Sequence, residues 1–144
     1  MWRCPRCRRS FANRNQSHAC AAHDLDHHFA GKDDLIRSIY DEFLRVLRSI
    51  GPVKVLPEKT RIAFQVRMSF AQLTPRRRWV DGHLILARHV DSPLFVKVET
   101  FSPRNHLHAF RLIAPTDIGE ELRGLMREAY KVGAQEHLRR GTLL

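Results

Sequence analysis

All three cysteines of this chain fall at Cys4, Cys7 and Cys20, with His18 and His23 beside them, so its opening segment is constrained before any periodicity is considered. In Trp2-Arg3-Cys4-Pro5-Arg6-Cys7 two thiols stand two residues apart, and one tight turn can aim both at a single ion with Phe11 packed beneath. Cys4, Cys7, His18 and Cys20 would complete a tetrahedral shell with no position left for water. That donor set predicts a structural Zn2+ site rather than a catalytic one. His23 is the alternative fourth ligand: its spacing from His18 suits a finger, whereas Cys20 offers the softer thiolate. Residues 1–30 otherwise show no periodic apolar face, so zinc is expected to supply most of the folding energy of a finger-like module and its connector.

Net charge is +10 and the isoelectric point is near 10.5, a balance made of twenty arginines and five lysines. Guanidinium forks match phosphate oxygens, so an acidic partner is favoured electrostatically. Arg6, Arg8, Arg9 and Arg14 surround the cysteines, and Arg76, Arg77 and Arg78 form a second basic knot. Trp2, Phe11 and Trp79 lie next to these clusters and could stack on bases or simply pack. No long recognition helix accompanies the cysteines. The expectation is therefore a backbone-directed nucleic-acid-binding module of low sequence specificity, for DNA or RNA. A protein-interaction adaptor that docks an acidic protein would account for the same charge, and a solvated arginine-rich surface would have the same composition. No signal-type apolar run is present, and the longest interior run, around Leu84-Ile85-Leu86-Ala87, is far too short to span a bilayer. The protein is expected to be cytoplasmic, with no membrane partner, where thiols stay reduced for metal.

Residues 31–144 carry the signals of an α+β domain. Asp33 or Asp34 can cap a helix in which Leu35, Ile36, Ile39, Tyr40, Phe43, Leu44, Leu47 and Ile50 recur at three- and four-residue steps. Gly51-Pro52 should stop it, with the glycine left-handed. From Val53 to Ile113 the period shortens. In the stretch from Arg61 to Met68, Ile62, Phe64, Val66 and Met68 face one way while Arg61, Gln65 and Arg67 face the other. Further strands are expected around Phe70–Leu73, Trp79–Ala87 with a bulge at Asp81-Gly82, Phe95–Thr100 and His106–Ile113. Short connections then predict an antiparallel meander of about five strands. Pro115 opens a last helix with Asp117 and Glu120 as a capping pair and Ile118, Leu122, Leu125, Ala129 and Val132 as its stripe. Both helices should pack on one sheet face.

Catalytic signatures are weak, and an enzyme is the less favoured reading. His106 and His108 share a strand face and could chelate a second metal, although partly exposed sheet histidines are the plainer expectation. Arg67, Glu99 and His108 could meet on the open sheet face as an anion-binding or acid-base cluster, but no motif ties them together. Seven scattered glycines form no phosphate loop, and Ser69 and Ser102 lack a nucleophile elbow.

With Cys4-Pro5-Arg6-Cys7, the segment from Phe11 to His18, Gly51-Pro52-Val53, Arg67-Met68-Ser69-Phe70-Ala71 and Glu128-Ala129-Tyr130 in view, the chain resembles bacterial proteins of the domain-of-unknown-function 5655 family. The similarity covers about Phe29 to Tyr130, with the finger as an N-terminal extension. The resemblance implies an α+β domain and no established activity.

Overall fold

The computed structural model describes residues 2–5, 10–11 and 25–135. Two short strands, β1 (Trp2–Arg3) and β2 (Ser10–Phe11), pair antiparallel. The body begins with a 3-10 turn at Leu25–His28, then α1 (Asp34–Ile50), β3 (Lys54–Pro57), β4 (Ile62–Gln65), β5 (Ser69–Pro75), β6 (Val80–Leu86), β7 (Lys97–Ser102), β8 (Asn105–Leu112) and α2 (Glu120–Gly133). The six strands β3 to β8 form one antiparallel sheet in the order β3-β4-β5-β6-β8-β7, with the helices on one face.

Alternation within the strands builds this two-layer arrangement. In β6, Val80, Gly82, Leu84 and Leu86 are buried while Asp81, His83 and Ile85 between them are only partly covered. Strand β8 repeats the pattern with His106, His108, Phe110 and Leu112 facing inward. Helix α1 turns Ile36, Ile39, Tyr40, Phe43, Val46 and Leu47 into the same core, and α2 adds Leu122, Leu125, Met126 and Ala129. Aromatic rings cross the layer boundary, with Phe43 against Phe64 at 5.3 Å and against Phe110 at 6.2 Å. Gly82 is required on this face: a Cβ there would run into the Phe110 ring. Leu25 and Phe29 also pack on the core, Phe29 lying 5.2 Å from Tyr40, and Lys32 ties the entry to the sheet through the carbonyls of His28 and Pro75.

Four expectations change. The sheet has six strands because Lys54–Pro57 joins its edge, and it is not a plain meander. Strand β8 sits between β6 and β7, so the connection over residues 87–96 must pass β8 before β7 begins. That passage is held by packing of Val90, Leu94 and Phe95 on the core and by a hydrogen bond described below. Asp81 and Gly82 pair in unbroken register with Thr74 and Leu73, and the irregularities lie at Phe64/Gln65 and Thr100/Ser102 instead. Gly51 is extended, at φ 171°, rather than left-handed. Glycine is needed there for close approach, since a Cβ would strike the Tyr130 hydroxyl, which donates to the Pro52 carbonyl at 2.7 Å. Asp117 caps the turn before α2 rather than α2 itself, accepting from the amides of Ile113 and Ala114 at 2.8 and 3.0 Å.

Candidate nucleic-acid interface

Charge is divided between the layers. Asp34, Asp41 and Glu42 balance Arg37, Arg45 and Arg48 on α1, and Glu120, Glu121 and Glu128 balance Arg123, Arg127 and Lys131 on α2. Residues 54–112, by contrast, hold eleven lysines and arginines against Glu58, Asp81, Asp91 and Glu99, a net +7 out of the chain's +10. Only Lys54, Lys97 and Arg111 of these stand within the strands; the other eight lie in the connections between them, where Arg88 pairs with Glu128 of α2.

The β5–β6 turn lifts Arg76, Arg77 and Arg78 into solvent at one end of that open face. Asp81 takes one member of the knot out of play. Its two carboxylate oxygens accept from Arg76 Nε at 3.0 Å and Arg111 Nε at 3.2 Å, and the Arg111 guanidinium lies 4.6 Å from the Trp79 ring centroid. Burial works to raise the Asp81 pKa, but the hydrogen bonds from Arg76 and Arg111 outweigh it and hold the carboxyl below its usual range. Arg77 and Arg78 have no carboxylate partner among the described residues.

Toward the middle of the face, Arg61 donates to Glu58 at 3.2 Å and to Gln72 at 3.3 Å. Gln72 lies opposite His83 in the sheet register, and His83 lies opposite Ala109, the partner of Lys97. Burial, followed by repulsion from Arg61, lowers the His83 pKa. Lys97 pairs with Glu99 at 2.5 Å and its hydrogen bond lowers the Glu99 pKa. The open face is thus a polar plate whose surplus charge is positive.

The predicted Arg67, Glu99 and His108 cluster does not exist. Arg67 stands in the β4–β5 turn, Glu99 is on the open face, and His108 is on the helix-covered face. His106 and His108 are buried rather than partly exposed, and their hydrogen bonds account for both nitrogens of each ring. His108 Nδ1 donates to the His106 carbonyl at 3.0 Å, and Nε2 accepts from the Val90 amide at 2.9 Å, tying down the 87–96 connection. His106 Nε2 lies 3.0 Å from the Pro103 carbonyl, to which it donates, leaving Nδ1 to accept from Thr100 Oγ1 at 2.9 Å. A ring so engaged has no lone pair to offer a second metal or a proton to exchange with substrate. These are structural histidines, on the face of the sheet opposite to Glu99.

Of the predicted zinc ligands, Cys4 follows β1 and is buried, at 3% exposure. Cys7, His18, Cys20 and His23 lie outside the described residues, as do Arg6, Arg8, Arg9 and Arg14. Among the described residues no three His, Cys, Asp or Glu side chains gather as a metal site. Ser10 of β2 lines a cavity together with Lys54 and Arg67. This end of the sheet is opposite the Arg77 and Arg78 turn, with β5 between them. Lys54 and Gln65 were missed as site residues because each is a single polar position in a strand, and only the β3–β4 register brings them together. No described helix is long and apolar enough to cross a membrane.

Comparison with characterised proteins and with solved structures returns no match to this chain. A family model does match over residues 25–133, the stretch that runs from the 3-10 turn to the end of α2. With three-quarters of its length accounted for in this way, including every element of the two-layer body, the chain belongs to the family described as Domain of unknown function (DUF5655).

Proposed function

We propose that this protein is a nucleic-acid-binding module that holds the phosphate backbone across the open face of its sheet, with little sequence preference. The observation that carries this reading is the segregation of charge: both helices are neutral and the sheet segment is +7. A globular surface needs no such asymmetry for solubility, whereas a polyanion rewards it through counterion release. Arg77 and Arg78, at the rim and without a carboxylate partner among the described residues, make the first contacts. Arg111, ion-paired with Asp81, lies over the Trp79 ring beside them.

The N-terminal hairpin belongs to the same reading as an arm ordered by Zn2+, held by Cys4, Cys7, His18 and either Cys20 or His23. Its support is the ligand inventory and the hairpin itself, whose strands pair across the connection containing Cys4-Pro5-Arg6-Cys7, with Cys4 buried rather than displayed. Zinc bound there would cross-link the arm and leave its arginines outward.

Fluorescence anisotropy with labelled DNA and RNA from 50 to 200 mM salt tests the proposal. Affinity should fall steeply with salt, and Arg77→Glu with Arg78→Glu should reduce the log–log slope by about two while leaving thermal stability unchanged. Absence of binding at low salt removes the reading. A protein-interaction adaptor is favoured by one separate feature, the edge strand β7, whose outer side no described strand pairs and where Val96, just before it, and Phe101 are 72% and 61% exposed. A partner captured equally well after nuclease treatment would support that alternative.

A further inference from the structure

Where the β4–β5 turn meets the end of α2, Ser10, Lys54, Gln65, Val66, Arg67 and Gln135 line a cavity of about 330 Å3. Five of these six side chains can donate hydrogen bonds, and none is a carboxylate. Lys54 and Arg67 add two positive charges, and neither has an ion-pair partner among the described residues. The wall is firmly built. The amides of Arg67 and Met68 both donate to the Gly133 carbonyl, at 2.9 and 3.0 Å, so the turn bearing Arg67 is fastened to the end of α2. Gln135 stands just beyond that helix at φ 62°, the left-handed region that favours glycine, and it lines the cavity. A left-handed residue at this position is a common way for a helix to end, and it turns the chain toward the cavity.

We infer that this cavity is a binding pocket for a phosphate monoester, seating the terminal phosphate of a nucleic-acid strand. Two cations with hydroxyl and amide donors match the charge and oxygens of a phosphate dianion, which a single carboxylate would not satisfy. The volume exceeds that of a bare phosphate and leaves room for the attached sugar. Alternation puts Lys54 and Gln65 on the open side of the sheet, opposite core-facing Val55 and Phe64. A strand anchored here can therefore run along the open face toward Arg77 and Arg78, about 20 Å away at roughly 3.3 Å per residue of β5. The pocket deepens the proposed function and rests on it only for the source of the phosphate.

Two measurements on the full chain test it. In the first, inorganic phosphate is titrated by calorimetry at constant ionic strength against chloride, using the wild type, the Lys54→Gln/Arg67→Gln double variant, and Arg48→Gln on α1 as control. The double variant should lose at least about tenfold in phosphate affinity while Arg48→Gln binds normally, since charge-assisted hydrogen bonds dominate such sites. Equal affinity in wild type and double variant, or no phosphate binding at all, overturns the pocket. In the second, short oligonucleotides with and without a terminal phosphate are compared. A preference of about tenfold for the phosphorylated strand, abolished in the double variant, supports the terminal phosphate as the ligand. Phosphate binding that depends on Lys54 and Arg67 but brings no preference overturns the nucleic-acid source and assigns the pocket to free phosphate or a mononucleotide. Near-ultraviolet circular dichroism verifies that both exposed substitutions leave the fold intact.

Discussion

The two faces of strand β8 hold residues of similar chemistry under opposite conditions. Inward, His106 and His108 are buried and hydrogen-bonded at both nitrogens, with Phe110 and Leu112 completing the core. Outward, Arg111 reaches a carboxylate and an aromatic ring while remaining half in water. A polar side chain on the covered face must satisfy every donor and acceptor from protein partners, which freezes it into a structural role. On the open face water supplies what the protein does not, so charge can accumulate and stay available to a ligand. The contrast separates stability from recognition, strand by strand.

Substitutions should therefore act on one property or the other. Phe110→Ala removes a ring stacked on Phe43 and should cost about 3–5 kcal/mol, read as a drop in the chemical-denaturation midpoint. Nucleic-acid affinity of the protein that remains folded should be unchanged, and a parallel loss of affinity would break the separation.

His108→Leu should cost about 2–4 kcal/mol, because it strands the Val90 amide and the His106 carbonyl. It should also change the response to pH. Burial lowers the His108 pKa from its ordinary 6.5, so the unfolded chain takes up the proton first as acidity increases. Its contribution is complete above about pH 6.5 and is lost as pH falls below that value toward the folded pKa. Hydrogen exchange at Val90 should report the loosening of the 87–96 connection in that window. Unfolding free energies of His108→Leu that fall with acid as steeply as the wild type's would show that His108 does not carry the effect. His83 has a lowered pKa of the same origin on the open face, and His83→Gln separates its share.

The smallest effect is the sharpest control. Arg48 is exposed on neutral α1, and Arg48→Glu should leave nucleic-acid affinity within about twofold, because single surface charges away from a contact contribute little. The same reversal at Arg77 and Arg78 should weaken binding and flatten its salt dependence. Equal losses at both places would mean that net charge alone, and not its placement on the sheet, drives association.

Much of the fold could be read from local pattern. The stripe of α1, the stripe of α2 and the alternation in β6 and β8 each reflect a period set by backbone geometry, and every inward residue expected on α2 is buried. Glycine roles were less legible. Gly51 and Gly82 owe their identity to Tyr130 and Phe110, residues 79 and 28 positions away, and a side chain that arrives from so far leaves no local trace. The basic knot Arg76-Arg77-Arg78 was visible as a run, yet pairing removes Arg76 from it through Asp81. Lys54 and Arg67 offered no run at all.

Composition and periodicity alone determined that this chain makes two amphipathic helices and a set of short antiparallel strands and that it carries a large positive surplus, because those properties depend on neighbours within a few residues. The insertion of β8 between β6 and β7, the burial of the histidines and the pairing of Arg76 with Asp81 were decided by tertiary structure. Strand order fixes which residues meet water and which meet each other, and that pairing joins positions dozens of residues apart.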